Sequence, residues 1–224
     1  MMLAGVLLLA WAGVVWKWDD PATGIYTRWQ QHRLASAFEE TMRLADAARK
    51  SEAPTTATSA EPEAPPTPTP AAAKNLWQKT GAGEPVARLT IDRLGLRVIV
   101  VKGTDSGSLK KGPGVDGRTA LPGQGRLIYI AGHRTTYAAP FSHIDRLRPG
   151  DSVQLELPYG RFDYVVTGHR IVDDNDLSVL RSAGHEVLAL QACHPRFFAS
   201  QRYIVYARPR TMIRDRAEPA ATSA

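Results

Sequence analysis

From about residue 76 onwards, the chain consists of short β-type runs that are separated by Gly, Pro and Asp. Short runs rich in β-branched and aromatic residues are typical of strands, and the separating residues favour turns. Two short helices fit between the runs, at 140–147 and 176–180. We predict strands at 87–91, 97–101, 126–131, 152–157, 161–171, 186–192 and 203–208. The pattern therefore predicts an all-β sandwich or barrel over residues 76–215.

Residues 2–16 form an uncharged, mostly apolar run, which Lys17 and Trp18 follow. Such a pair is typical of a membrane interface. As a helix the run spans roughly 23 Å, somewhat less than the ~30 Å core of a bilayer. A cleaved signal peptide is the alternative, but no basic region precedes the run and no clear cleavage site follows it. We expect residues 1–18 to be a transmembrane signal anchor.

The Lys and Arg residues near this run all follow it. A literal count of basic residues would therefore place the rest of the chain in the cytoplasm. We expect instead that the native reading frame starts upstream and supplies a short basic tail.

Two segments separate the apolar run from the β-rich part. Residues 19–50 carry apolar side chains at roughly helical spacing from 25 onwards, which predicts an amphipathic juxtamembrane helix. Residues 51–75 are mostly Pro, Thr, Ala, Ser and Glu, a composition that favours an extended linker. Residues 216–224 are predicted to be a disordered tail.

The formal charge of +6 comes from basic residues that are scattered along the chain. They are neither clustered nor interleaved with aromatic residues that would stack on bases. We interpret the excess as a solvated surface and expect no nucleic-acid partner.

Cys193 is the single cysteine, so neither an internal disulfide nor a Cys-rich metal site can form. It ends a predicted strand, and it is either an inert small hydrophobe or a nucleophile. His133 also follows a predicted strand, and Arg202 begins one. If these strands are neighbours, the three side chains converge, which would give a nucleophile with a base and an oxyanion-stabilising cation.

Three blocks of the sequence surround the candidate residues. The first is Ala-Gly-His-Arg-Thr-Thr-Tyr at 131–137, with Pro-Phe at 140–141 and Leu-Arg-Pro-Gly-Asp at 147–151. The second is Tyr-Val-Val-Thr-Gly-His-Arg-Ile-Val at 164–172. The third is Leu-Gln-Ala-Cys-His-Pro at 190–195, with Gln-Arg at 201–202. These blocks resemble sortases, most of all those of class E, with class D as the neighbouring class. The resemblance covers about residues 85–210 and implies an eight-stranded β-barrel.

The resemblance also implies a reaction. Cys193 would cleave a sorting signal of the Leu-Pro-x-Thr-Gly or Leu-Ala-x-Thr-Gly kind between Thr and Gly, forming a thioacyl enzyme. His133 would serve as acid and base and Arg202 would stabilise the oxyanion, without a metal or cofactor. The implied substrates are secreted proteins with a C-terminal sorting signal, and the implied acceptor is an amine of a cell-wall precursor or a pilin. The implied location is the bacterial cell membrane, with the catalytic domain outside the cell.

Three further residues are candidates for substrate binding. The resemblance relates Tyr137 to the choice of the second signal residue, although an ordinary loop aromatic is the alternative. Ala192 stands where the family has a Thr before its Cys, which puts the rate and the signal preference in question. His194 is adjacent to Cys193, yet neighbouring residues of a strand point to opposite faces.

Other polar residues favour simpler interpretations. The histidines His143, His169 and His185 lack metal-ligand spacing. The acidic run 173–176 lacks the spacing of an EF-hand and is predicted to be a solvated loop with a helix cap.

Rival functions remain open beside transpeptidation. Water in place of an amine would make the chain a hydrolase. Loss of the Thr favours a non-catalytic binding module, which the retained Cys, His and Arg oppose. An L,D-transpeptidase would need a Ser-x-Gly-Cys signature, which the chain does not have at Cys193.

Overall fold

The computed structural model describes residues 5–6, 21–52 and 70–210. Within residues 21–52 and 70–210, the α-helices are α1 (Pro21–Glu52), α2 (Pro70–Lys79) and α3 (Ser106–Leu109). The strands are β1 (Pro85–Ile91), β2 (Leu96–Lys102), β3 (Gly114–Val115), β4 (Leu127–Ala131), β5 (Ser152–Leu157), β6 (Gly160–Asp173), β7 (Val187–His194) and β8 (Gln201–Pro209). Short 3-10 helices lie at Asp92–Leu94, Ile144–Arg146 and Leu177–Leu180.

The strands close into a barrel in the order β1-β2-β3-β4-β7-β8-β6-β5, and β5 pairs with β1 to complete it. Alternating side chains build the interior, because successive residues of a strand point to opposite faces. Strand β5, for example, buries every second residue. The interior cluster includes Leu89, Ile130 and Leu190. The predicted all-β fold is confirmed, as an eight-stranded barrel.

Strands β4 and β7 run parallel to each other and are covered on both faces. All five residues of β4 are buried. One face of the strand lines the barrel, and on the other face Leu127 and Tyr129 pack with Val179 and Leu180 of a 3-10 helix. A strand that is covered on both faces needs apolar residues along its whole length and not only at every second position. This explains the Leu-Ile-Tyr-Ile-Ala sequence of β4.

Strands β2 and β3 pair over only two residues each, Val101 with Gly114 and Lys102 with Val115. This short contact is called the seam of the barrel. Helix α1 covers the exposed edge of β2 beside this seam. Gln31 of α1 accepts a hydrogen bond from the backbone N–H of Ile99 at 2.7 Å and donates one to the Ile99 carbonyl at 3.0 Å. Its side chain thereby replaces the missing strand partner, and it also donates to the Lys111 carbonyl.

The apolar residues of α1 divide between two environments. Leu34 and Phe38 are buried against Ile99 and Val101 of the barrel. Others that the sequence placed on the same helix, such as Trp29, are exposed. The first helix is therefore docked on the barrel along part of its apolar surface.

The predicted linker is partly wrong at its C-terminal end. Helix α2 begins at Pro70, within the range assigned to the linker, and Ala73 is buried in the main core. Proline suits the first turn of a helix because its missing N–H has no partner there in any case. A boundary at residue 76 would cut α2 and leave out α1, although both contact the barrel.

The predicted strands lie within about two residues of β1, β2, β4, β5, β6, β7 and β8. The prediction missed β3, which has two residues. The helix predicted at 140–147 is a 3-10 turn at Ile144–Arg146, and that at 176–180 is Leu177–Leu180.

The anchor predicted at 1–18 lies outside the described residues, apart from Gly5 and Val6, and so does the tail at 216–224. In the part of the chain that the structure describes, no helix has the length and apolar character needed to cross a membrane.

Candidate active site

Strands β7 and β8 place Cys193 beside Arg202. The two residues are register partners in an antiparallel pair, so their side chains point to the same face. Cys193 is a free thiol of intermediate exposure, and it is the penultimate residue of β7. The pairing brings together two residues that are nine positions apart in the sequence.

Strand β4 supplies His133 from the other side of β7. In this parallel pair Ala131 lies beside Gln191, and the Gly132 N–H continues the ladder by donating to the Gln191 carbonyl at 2.9 Å. His133 follows directly and therefore lies level with Cys193. The predicted convergence of His133, Cys193 and Arg202 is present in the fold, since all three line one cavity of about 270 Å³.

His133 is held in a loop that favours its neutral form. Its Nδ1 lies 3.3 Å from the Thr136 hydroxyl, and its ring packs on the Tyr137 ring with 4.9 Å between centroids. Burial lowers the pKa of His133, and the positive charge of Lys110 lowers it further. A neutral imidazole beside a thiol can accept a proton from it and return that proton to a leaving amine.

The Arg202 guanidinium lines the cavity and is held by backbone carbonyls through one of its two terminal nitrogens. Its Nη1 donates to the carbonyls of Ala199 at 2.7 Å and of Gln201 at 2.9 Å. Its Nη2 lies 3.9 Å from a carboxylate oxygen of Asp174. The side chain retains 27% exposure, so it can still donate to a group that lies over the thiol.

The remaining walls combine apolar and charged side chains. The 3-10 helix Leu177–Leu180 contributes three apolar residues to the cavity lining, which also includes Tyr129. Burial raises the pKa of the Tyr129 phenol, which keeps it neutral. Asp116 and Arg118 line the cavity as well, and the Asp116 carboxylate accepts two hydrogen bonds from Arg118, at 2.7 and 2.9 Å. The Arg118 hydrogen bond is the main cause of the lowered pKa of Asp116.

The acidic run at 173–176 supplies the predicted helix cap. Asp176 caps the 3-10 helix by accepting from the Ser178 N–H at 2.9 Å. Hydrogen bonding to the Ser178 side chain, and next to the Ser178 backbone, lowers the pKa of Asp176. Asp174 and Asp176 also line the cavity.

The three candidates for substrate binding, Tyr137, Ala192 and His194, do not lie together: Tyr137 contacts His133, whereas the other two lie on the face of β7 opposite to Cys193. Tyr137 contacts His133 and lies under Lys110, whose Nζ is 5.9 Å from its ring centroid. Ala192 is fully buried in the main core, on the face of β7 opposite to Cys193. His194 also lies on that opposite face, near Tyr203, so neither Ala192 nor His194 lines the cavity.

Sequence reasoning missed two features of the His133 loop. Tyr137, Ala138 and Ala139 all have positive φ, at 53°, 60° and 40°, and this left-handed turn of non-glycine residues directs the loop back towards the barrel. Gly132 allows the Phe141 ring to approach closely, since a Cβ on it would lie 2.6 Å from that ring. Beyond these two features, the sequence did not indicate that Arg134 donates to the Cys193 carbonyl at 3.2 Å.

The family model described as the sortase domain matches residues 89–210. The chain is 33% identical to sortase D of Bacillus subtilis (strain 168) over 132 residues, which cover 57% of this chain and 65% of that relative. The chain thus spans just under two thirds of the length of this curated relative.

Two solved structures illustrate the likeness of the fold. The Clostridium perfringens sortase D5 transpeptidase has a TM-score of 0.64 at 21% identity, covering 81% of this chain and 99% of that one. The sortase E1 structure from Streptomyces coelicolor, with a tripeptide in its active site, has a TM-score of 0.53 at 28% identity, covering 58% and 90%. With the family model matching more than half of its residues, the chain belongs to the sortase family.

Proposed function

We propose that this chain is a cysteine transpeptidase that cleaves a sorting signal and transfers the released acyl group to an amine. The observation that supports it most is the convergence of Cys193, His133 and Arg202 on one cavity. Membership of the sortase family supports the same conclusion. No residue outside this set is needed to supply the nucleophile, the proton and the cation.

The first half-reaction cleaves the signal. Cys193 passes its proton to His133, and the resulting thiolate attacks the carbonyl carbon of the signal Thr, with the developing oxyanion within reach of Arg202. His133 donates a proton to the Gly nitrogen as the Thr–Gly bond breaks. The products are a thioester on Cys193 and a free Gly amine.

The second half-reaction forms the new amide. An acceptor amine attacks the thioester carbonyl, His133 accepts its proton, and the Cys193 sulfur leaves. The acceptor that we propose is an amine of a cell-wall precursor or of a pilin, and the substrates are secreted proteins with a C-terminal sorting signal. The apolar wall from the Leu177–Leu180 helix suits the Leu of a Leu-Pro-x-Thr-Gly or Leu-Ala-x-Thr-Gly signal.

The experiment uses the chain from residue 21, because α1 packs on the barrel. Fluorogenic Leu-Pro-x-Thr-Gly and Leu-Ala-x-Thr-Gly peptides are incubated with and without an added glycine or diaminopimelate-type amine, and products are read by mass spectrometry. We expect cleavage between Thr and Gly and an amine-joined product. Cys193→Ala and His133→Ala should abolish both, whereas His143→Ala, which changes an exposed histidine, should retain them.

The other outcomes identify the rival functions. Cleavage without an amine-joined product at any amine concentration would indicate a hydrolase. Binding of a signal peptide without cleavage, unchanged in Cys193→Ala, would indicate a binding module.

We also propose that residues 1–18 anchor the chain in the bacterial membrane with the barrel outside the cell. The uncharged run at 2–16 supports this. The first turn of α1 is joined to the His133 loop, since the Tyr137 N–H donates to the Thr23 hydroxyl at 2.9 Å. An anchor directly before α1 would therefore hold the cavity near the membrane surface.

The anchor is tested by fractionating cells that express the full chain or the chain from residue 21. Recovery of both chains in the soluble fraction would refute the anchor.

A further inference from the structure

Arg134 is a buried cation beside the candidate active site that the proposed reaction does not use. It directly follows His133 in the sequence, and its side chain is only 5% exposed. Burying a guanidinium is unfavourable unless its environment compensates for the lost water, so its contacts require an explanation.

The guanidinium joins three separate parts of the fold. Its Nη1 donates to the Cys193 carbonyl at 3.2 Å and to Nδ1 of His194 at 2.9 Å. Its Nη2 pairs with Asp145 at 3.0 Å, in the 3-10 helix Ile144–Arg146. The guanidinium carbon lies 5.6 Å from the centroid of the Tyr203 ring on β8.

These contacts lie on the face of β7 that does not carry the thiol. Cys193 pairs with Arg202, whereas the inward-facing Ala192 pairs with Tyr203, on which Arg134 lies. His133 lines the cavity on the thiol side. His133 and Arg134, which are consecutive in the sequence, therefore lie on opposite faces of the end of β7.

The arrangement is poorly explained by stability alone. Among buried side-chain nitrogen and oxygen atoms of the described residues, Nε of Arg134 lacks a hydrogen-bond partner. Its carboxylate partner among the described residues, Asp145, is 47% exposed, which weakens the pair by solvent screening. Arg88 provides the contrast, since this similarly buried arginine pairs with two carboxylates, Glu39 and Glu156, away from the cavity.

The contact to His194 gives Arg134 a second hold on the end of β7. An arginine side chain has donors and no acceptor, so Nδ1 of His194 is the acceptor in this contact.

We propose that Arg134 is a positioning residue that fixes the Cys193 thiol relative to the His133 imidazole by holding the Cys193 carbonyl. This inference rests on the proposed function, in which a proton passes between those two side chains. Small errors in such a distance have large kinetic effects, while the binding of the substrate elsewhere in the cavity is unaffected.

The test compares Arg134→Met and Arg134→Lys with the matched control Arg88→Met in the chain from residue 21. We expect Arg134→Met to lower kcat between about tenfold and a hundredfold, with KM within twofold of the unsubstituted chain. Arg134→Lys should recover part of kcat, because an ammonium can still donate to the Cys193 carbonyl. Arg88→Met should lower the midpoint of unfolding and leave kcat within twofold at a temperature where the protein is folded.

A second measurement does not need the peptide reaction. The rate at which iodoacetamide alkylates Cys193, followed against pH, reports the coupling of the thiol to His133. We expect Arg134→Met and Arg134→Lys to displace this profile and Arg88→Met to leave it in place. If the unsubstituted chain cleaves neither peptide, the proposed function fails, whereas the alkylation profile still decides the positioning role.

Two results would overturn the inference. One is a kcat and an alkylation profile in both Arg134 variants that match the unsubstituted chain. The other is an equal loss of kcat in Arg88→Met, which would show that any buried arginine acts through general stability. If Arg134→Met does not fold, Arg134→Lys and its alkylation profile replace it.

Discussion

Cys193 and Arg202 are directly opposite residues of the antiparallel strands β7 and β8, and their side chains share the face that lines the cavity. In such a pair the Cβ atoms are about 4.5–5.5 Å apart. The position of the cation relative to the thiol is therefore set by strand register, which a barrel holds more firmly than a loop would.

Replacing Arg202 by Gln should remove the stabilisation of the oxyanion. Loss of a single donor of this kind lowers kcat by about 10²–10³-fold. Arg202→Lys should recover only part of the loss, because an ammonium cannot keep both contacts to the Ala199 and Gln201 carbonyls and still reach over the thiol. Steady-state kinetics on the preferred signal peptide measure both. The control is Arg208→Gln on the same strand, where the arginine is exposed; an equal effect of this control would contradict the role of Arg202.

Gly132 should be intolerant of even a methyl group. A Cβ there would lie 2.6 Å from the fully buried Phe141 ring, so the ring or the His133 loop must move. Overpacking of this kind destabilises by about 1–3 kcal/mol, and we expect Gly132→Ala to lower the free energy of unfolding by that amount and kcat as well. Urea unfolding and peptide cleavage measure the two effects. Gly168→Ala is the control, because a Cβ at Gly168 meets nothing within 4 Å.

Removing the charge of Lys110 should raise the pKa of His133. Burial, the larger cause of the depression, remains in Lys110→Met, so the pKa should still lie below its ordinary value of 6.5. An NMR titration of the imidazole measures it, with Lys74→Met, on α2, as the control.

The same shift predicts the effect of pH on stability. Since the pKa of His133 is lower in the folded chain, the unfolded chain binds the proton first as the pH falls below about 6.5. His133 therefore reduces stability on the acid side, and this loss should be smaller in Lys110→Met. A larger acid-side loss in that variant would contradict the assigned cause.

The strands could be predicted because their signals are local: alternation and turn residues mark β5 and β6. At Cys193 the strand-end position left an inert thiol and a nucleophile open, and the resemblance of the surrounding blocks to sortases favoured the nucleophile. Strand β3 gave no such signal, since Gly-Val is too short to show alternation and is defined only by its partners β2 and β4.

The remaining features depend on contacts between distant parts of the chain. The burial of Arg134 results from its contacts with residues about sixty positions away, and nothing in the sequence around it indicates them. The sequence also shows which residues of α1 are apolar, but not that a glutamine on the same helix completes the edge of β2.

Gln31 should therefore matter more for stability than its polar character suggests. Replacement by Ala leaves the Ile99 N–H and the Ile99 and Lys111 carbonyls without their partner, at the point where β2 has lost its strand neighbour. Leaving partly buried backbone groups unpaired costs about 1–3 kcal/mol, and we expect Gln31→Ala to lower the free energy of unfolding by that amount. Gln30→Ala is the matched control, since the hydrogen bond that the described residues offer Gln30 is an exposed one to the Tyr26 hydroxyl of its own helix. This variant should leave stability within about 0.5 kcal/mol. Urea unfolding followed by circular dichroism measures both. Equal stability of the two variants would mean that α1 is an appendage rather than part of the barrel, and a chain that begins at residue 70, which keeps α2, should then fold and react as well as one that begins at residue 21.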